Sequence, residues 1–260
     1  MSTFPETDPA GDNSPCLFRC EGITQKYQDE TVVEGIRVEL PAGGIISLLG
    51  PSGVGKTTLF NILAGVDRPS GGQVFLLGED ITGVSGRVSY MLQKDLLLEY
   101  RTVLDNVILP LLIKGKKKKE ARSLAAEFFP QFGLSGYEKK YPRELSGGMR
   151  QRAALLRTCM MRNPVILLDE PFSALDAITR RQMQDWFCGI ASAMGFSTLF
   201  ITHDVEEALL LSDRVYVLTG KPGKITADFA IRPGRPRDHS FPVSPGFGEQ
   251  KQLILEAIGL

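Results

Sequence analysis

Ile45-Ile46-Ser47-Leu48-Leu49-Gly50-Pro51-Ser52-Gly53-Val54-Gly55-Lys56-Thr57-Thr58 is the stretch that decides the fold. Its first five residues are a compact apolar run of the kind that forms a strand buried on both faces. The next eight satisfy G-x-x-x-x-G-K-[ST], and Thr57 to Ala64 then has helical character that ends before Gly65. Strand, glycine-rich turn and helix in this order are the context in which the pattern cradles phosphate. The glycines let successive backbone N–H groups close around oxygen atoms, and the helix N-terminus adds partial positive charge at the same place. Lys56 would neutralise β- and γ-phosphates, and the Thr57 hydroxyl would ligate Mg²⁺. The alternative is a glycine-rich turn that merely carries Lys-Thr, and it has to explain every fixed position and both flanks at once. The pattern specifies a nucleotide without saying which one.

Outward from this loop the chain alternates. Strand runs are expected within Leu17–Leu40, broken near Gln28–Glu30, and at Gln73–Leu77, Val165–Leu168, Leu199–Ile201 and Val215–Leu218. Helical patterns occupy residues 102–113, 117–129, 146–161, 176–194 and 205–211. Strands separated by helices imply a mostly parallel sheet covered on both faces, an α/β core of the P-loop NTPase type. Residues 94–161 read as a helical insert in that core, and the early strands as a small antiparallel β subdomain. The expected boundaries are a disordered tail over 1–15, one ATPase-type domain over 16–225, and a C-terminal tail over 226–260 with a short helix at 249–258.

Composition narrows the function. Lys+Arg and Asp+Glu balance at 30 each in 260 residues, so nothing asks for nucleic acid as a partner. Cys16, Cys20, Cys159 and Cys188 are irregularly spaced and read as reduced, unpaired thiols. Met1 to Pro15 lacks the basic-then-apolar pattern of a signal peptide, and no apolar run is long enough to span a bilayer. Any membrane role is expected to come through a partner.

Val165-Ile166-Leu167-Leu168-Asp169-Glu170 is an apolar strand ending in two carboxylates. Ligands of open α/β sheets gather at the carboxyl ends of strands, where the phosphate loop also lies. Asp169 suits Mg²⁺, and Glu170 suits a general base for an attacking water. A plain reading exists too: acidic residues often follow strands to cap the next helix. Leu145-Ser146-Gly147-Gly148-Met149-Arg150-Gln151-Arg152 opens a helix with Ser146 at its N-cap, a second potential phosphate site. If both sites are used, the economical arrangement places Ser146–Gly148 on the γ-phosphate held by another copy, repeated by two-fold symmetry. Taken alone, this segment reads better as an ordinary Ser-capped helix with glycines for tight packing.

As an ordered series, these motifs resemble the ABC ATPases, over roughly residues 17–225. Leu145 to Gln151 is similar to that family's signature motif and stands between the phosphate loop and Asp169-Glu170. The resemblance implies that Tyr27 stacks on adenine, although Tyr27 reads as readily as a strand aromatic. It implies that Gln93, in Tyr90-Met91-Leu92-Gln93, is the Q-loop glutamine sensing Mg²⁺ and partner. It makes Ser173-Ala174-Leu175-Asp176 the D-loop and His203, in Phe200-Ile201-Thr202-His203-Asp204, the switch histidine at the γ-phosphate. The nucleotide set is then Tyr27, Gly50, Pro51, Ser52, Gly53, Val54, Gly55, Lys56, Thr57, Thr58, Gln93, Ser146, Gly147, Gly148 and Asp176. Thr57, Gln93 and Asp169 attend the metal, and Glu170, His203 and Lys56 are catalytic. Met149 replaces the commoner glutamine, and Gly44 a common glutamate. Neither is a phosphate-contacting position. His239 reads as an ordinary tail residue.

The implied cofactors are ATP and Mg²⁺, and the implied partners are a second copy, membrane-spanning permease subunits and, indirectly, a solute-binding protein. The expected location is the cytoplasmic face of the cell membrane. Leu96, Leu97, Leu98 and Tyr100 are expected to meet a permease coupling helix, and the lysines at 114 and 116–119 to be a solvated helix start. Leu98–Val107 and Arg232–Arg237 are similar to nitrate/sulfonate/taurine-type importer ATPases. Sulfonates, nitrate, pyrimidine precursors of thiamine or another small solute remain open, and so does a soluble ABC ATPase acting on nucleic acid or ribosomes.

Overall fold

The computed structural model describes residues 16–235, 237 and 240–260. The readings of residues 1–15 and of His239 lie outside them.

β1 (Cys16–Tyr27) and β2 (Glu30–Pro41) form a long hairpin. β3 (Ile45–Leu49) leads through the glycine-rich turn to α1 (Lys56–Leu63). β4 (Gly71–Leu76), β5 (Glu79–Asp80) and β6 (Ser89–Met91) follow. The insert holds α2 (Val103–Val107), α3 (Leu109–Ile113), α4 (Lys118–Ala126) and α5 (Gly147–Cys159). Then come β7 (Val165–Asp169), α6 (Ala177–Met194), β8 (Ser197–Thr202), α7 (Val205–Leu211), β9 (Arg214–Thr219), β10 (Lys224–Ala230) and α8 (Pro245–Ile258).

The core sheet has the order β10-β9-β3-β8-β7-β6, parallel except for β10 at one edge. A second sheet, β2-β1-β4-β5, is antiparallel throughout. Side chains alternate across a strand, and the central strands use both faces. Ile166, Leu168 and Phe200 join the core under α5 and α6, whereas Val165, Leu167, Leu199 and Ile201 join the one shared by α1 and the antiparallel sheet. Burial on both faces is why these strands are continuously apolar and legible in sequence.

Three expectations need correction. The helix over 102–113 is two short helices, because Pro110 near the start of α3 has no N–H to continue the ladder. The final helix begins at Pro245, four residues before the expected start: Ser244 caps it by accepting from the Phe247 N–H, so Gly246 and Gly248 are carried inside. The tail over 226–260 is not a tail in its first part or its last. β10 pairs with β9, and Ala227, Phe229, Ile231, Phe241, Phe247 and Ile254 share a third core with Leu209, Val215 and Val217. Alternation with Lys224, Thr226 and Asp228 gives this edge strand its half-polar sequence.

Within the insert, Asn106 is fully buried and holds the preceding loop. Its Oδ1 accepts from the Leu98 N–H at 2.7 Å, and its Nδ2 lies 3.1–3.2 Å from the carbonyls of Leu98, Arg101 and Thr102. Removing the amide strands these groups, so Asn106→Ala is expected to cost about 2–3 kcal/mol. The urea midpoint of the purified chain measures it, and an unchanged midpoint would contradict the role.

Candidate functional site

The turn after β3 needs glycine for lack of room. A Cβ on Gly50 would sit 2.3 Å from the Leu218 carbonyl oxygen on β9. Gly55 takes φ 103, and a Cβ there would meet Val33 Cγ1 at 2.6 Å. The loop is thereby pressed between β9 and the hairpin, while Pro51, Ser52 and Gly53 face solvent. No side chain caps α1, so its first N–H groups stay available at the loop mouth. Lys56 is buried and its ammonium donates to the carbonyls of Gly50 (2.7 Å) and Pro51 (2.8 Å). Burial lowers its pKa, against the pull of the Glu170 and Asp169 charges.

β7 delivers the acidic pair. Asp169, the last strand residue and buried, accepts from Thr57 Oγ1 at 3.3 Å. Burial, and then the neighbouring Glu170 charge, raise its carboxyl above the usual range. Glu170 turns the chain with φ 44, unusual for a residue with a Cβ. That turn points its carboxylate away from the strand line: Oε2 accepts from Gln93 Nε2 at 3.2 Å, and Oε1 lies 3.2 Å from His203 Nδ1. Gln93 follows β6 and His203 follows β8, the strands on either side of β7. Parallel neighbours therefore bring all three to one sheet edge.

Lys56, Thr57, Gln93, Asp169, Glu170 and His203 thus converge, with Thr58 on the first turn of α1. Tyr27 ends β1 on the hairpin that packs against Gly55, and its ring is half exposed. Ser146, Gly147, Gly148 and Asp176 gather elsewhere. Ser146 caps α5 by accepting from the Met149 N–H, and Asp176 caps α6 by accepting from the Thr179 N–H. Side chains on Gly147 and Gly148 would meet Leu175 and Thr179. Among the described residues, no hydrogen bond or ion pair ties Ser146–Gly148 to the loop over 50–57.

Behind His203 lies a small cavity lined by Glu170, Phe172, Ser173, Arg180, Thr202, Asp204 and Glu207. Arg180, Gln184 and Glu207 escaped the sequence reading. The available signal was a pair of carboxylates, Glu206-Glu207, opening an otherwise apolar helix. The lysines at 114–119 are a solvated surface, with Lys116 and Lys118 paired to Glu120 and Asp105. In the segment after Gln93, Leu97 is buried while Leu96 and Tyr100 are exposed. The four cysteines are free, as read. No helix among the described residues is long and apolar enough to cross a membrane.

Comparison with known proteins points to one family. The profile of the ABC transporter family matches residues 33–173. The aliphatic sulfonates import ATP-binding protein of Rhodococcus jostii is 46% identical over 216 residues, 83% of this chain and 84% of that protein. The formylaminopyrimidine import ATP-binding protein of Halalkalibacterium halodurans is 44% identical over 207 residues, 79% of this chain and 81% of that protein. Among solved structures, the dimeric post-hydrolysis state of an ATP-binding cassette bound to ADP and Pi superposes with TM-score 0.72 and 26% identity, covering 84% of this chain and all of that one.

Proposed function

The chain belongs to the ABC transporter family as an ATP-hydrolysing subunit, and from that premise we propose that it powers import of a small solute through separate membrane subunits. Relatives named for sulfonate and formylaminopyrimidine import support this direction and cargo size. The observation that carries the catalytic reading is the convergence of Gln93 and His203 on the Glu170 carboxylate, beside the Thr57–Asp169 pair.

In this reading the loop N–H groups and the α1 N-terminus hold the β- and γ-phosphates. Lys56, already at the loop mouth, exchanges carbonyl partners for phosphate oxygens. Tyr27 stacks on the adenine. Glu170 accepts the proton of the attacking water, and His203 steadies both that carboxylate and the γ-phosphate. Thr57 and Asp169 fit Mg²⁺: a hydroxyl and one carboxylate are hard oxygen donors, and a cation would relieve the cost of keeping the Asp169 charge buried. Two protein oxygens leave the rest of an Mg²⁺ shell to phosphate oxygens and water. Bound there with Gln93 nearby, Mg²⁺ would neutralise charge developing on the phosphates.

Two copies close around two ATP molecules, each γ-phosphate receiving the Ser146–Gly148 helix start of the partner subunit. The dimeric state of the solved cassette supports this arrangement, and among the described residues no hydrogen bond ties that segment to its own phosphate loop. Leu96 and Tyr100 offer an apolar surface to the permease, and the chain sits at the cytoplasmic face of the membrane.

Expression of the tagged chain in its own cells tests the reading. It is expected to co-purify in detergent with a multi-spanning membrane protein. The complex should release phosphate from ATP without an acceptor, stop in EDTA and resume with Mg²⁺. Recovery with ribosomes or nucleic acid instead would overturn it.

A further inference from the structure

The cavity behind His203 is walled by polar side chains that the hydrolytic reading leaves without a task. Glu207, on the first turn of α7, is 5% exposed, and Gln184, in the middle of α6, is also 5% exposed. Gln184 Nε2 donates to Glu207 Oε1 at 3.1 Å. Thr202, which immediately precedes His203, accepts from the Asp204 N–H at 3.0 Å, and Asp204 Oδ1 in turn accepts from the Glu207 N–H at 3.2 Å. Four residues before Gln184, on the same face of α6, Arg180 reaches the Leu175 carbonyl at 3.0 Å and the Asp204 carboxylate at 3.7 Å. Asp204, which follows His203, is therefore tied to α6 through Arg180 and to the backbone of Glu207 through its cap of α7. The start of α6 is the segment around Leu175, Asp176 and Thr179 that packs on Gly147 and Gly148.

We propose that Glu207 is a positioning residue for hydrolysis: through Gln184 it sets the distance between the helix that Asp176 caps and the start of α7, whose capping residue Asp204 adjoins the His203 presented to Glu170. The Arg180–Asp204 pair is partly exposed and 3.7 Å long, so it is weakly held. The Glu207–Gln184 bond is buried, and leaving either group unpaired there is costly. Burial, with the nearby Asp204 charge, raises the Glu207 carboxyl above the usual range, opposed by Thr202, Gln184 and Arg180. Glutamine keeps the length of the side chain and the carbonyl acceptor that Gln184 Nε2 uses. When the two copies close on ATP, a displacement of the α6 start reaches His203 through this link. The inference rests on the roles given above to Glu170 and His203.

Steady-state ATP hydrolysis by the full chain and the side-chain ¹⁵N signals of His203, assigned with His203→Ala, form the test. Glu207→Ala is expected to lower kcat about 10- to 100-fold, the scale of a small misplacement of a catalytic group, with KM for ATP little changed and the His203 signals shifted. Glu207→Gln is expected to restore kcat to within about threefold and the His203 signals to their places, a shape-conserving change costing little. Gln184→Leu breaks the link from the other side and is expected to repeat the Glu207→Ala result, so it decides the matter if that variant does not fold. Wild-type kcat in folded Glu207→Ala, equal losses in the Gln and Ala variants, or a kcat loss with unmoved His203 signals would overturn the proposal. Full activity of His203→Ala would instead remove the reading on which it rests.

Discussion

Glu170→Gln is expected to abolish steady-state phosphate release while leaving ATP binding intact, so that ATP-loaded dimers accumulate. The amide has the size of the carboxylate and can keep its place between Gln93 Nε2 and His203 Nδ1, each 3.2 Å away. It has no lone pair basic enough to take a proton from water, and losing a positioned general base costs roughly 10²–10⁴ in rate. Lys56, Thr57 and the loop glycines are untouched, so triphosphate affinity persists. Size-exclusion chromatography with MgATP, beside a phosphate assay, reads both effects. Brisk turnover by this variant would show that Glu170 is not the base.

Ser146→Arg is expected to have an effect nearly as large by a different route. Ser146 caps α5 and makes no hydrogen bond to the loop over 50–57 among the described residues, its hydroxyl accepting from the Met149 N–H instead, so nucleotide binding by the single chain should survive. A bulky side chain at the helix start would occupy the space where the other copy's γ-phosphate docks. Removing donors of this kind from a charged transition state costs about 10²–10³ in rate, and obstruction should also remove ATP-driven dimerisation. Ser146→Ala is the control, since loss of the cap alone costs about 1 kcal/mol. If Ser146→Arg added to Glu170→Gln still gave the full yield of ATP-loaded dimer, the trans contact would be refuted.

The sheet and the phosphate loop were legible because their residues have few alternative uses. Ile45–Leu49 and Val165–Asp169 are buried on both faces, which demands unbroken apolar sequence, and Gly50 has no space for a side chain. β10 was hidden because an edge strand buries only alternate residues, so Lys224, Thr226 and Asp228 make it resemble a loop. The helix break at Ile108 follows from Pro110, a signal present in the sequence but outweighed by the apolar run around it. At the site, Glu170 was legible from its place at the end of an apolar strand, and Gln93 and His203 only through family resemblance. Their meeting at one carboxylate depends on strand order β8-β7-β6, which local sequence does not encode. Glu207 was missed for a related reason: its side-chain partner Gln184 lies on another element, and a glutamate in the first turn of a helix looks like ordinary surface.

The placement of β10 and α8 bears on how the protein is made. Until residues 224–258 leave the ribosome, β9 has an unpaired border, and Leu209, Val215 and Val217 lack their cover. A nascent chain thus carries every nucleotide motif before it can hide that sticky margin. Chains cut short before residue 224 would yield precipitate instead of a smaller motor, because nothing else among the described residues covers that margin.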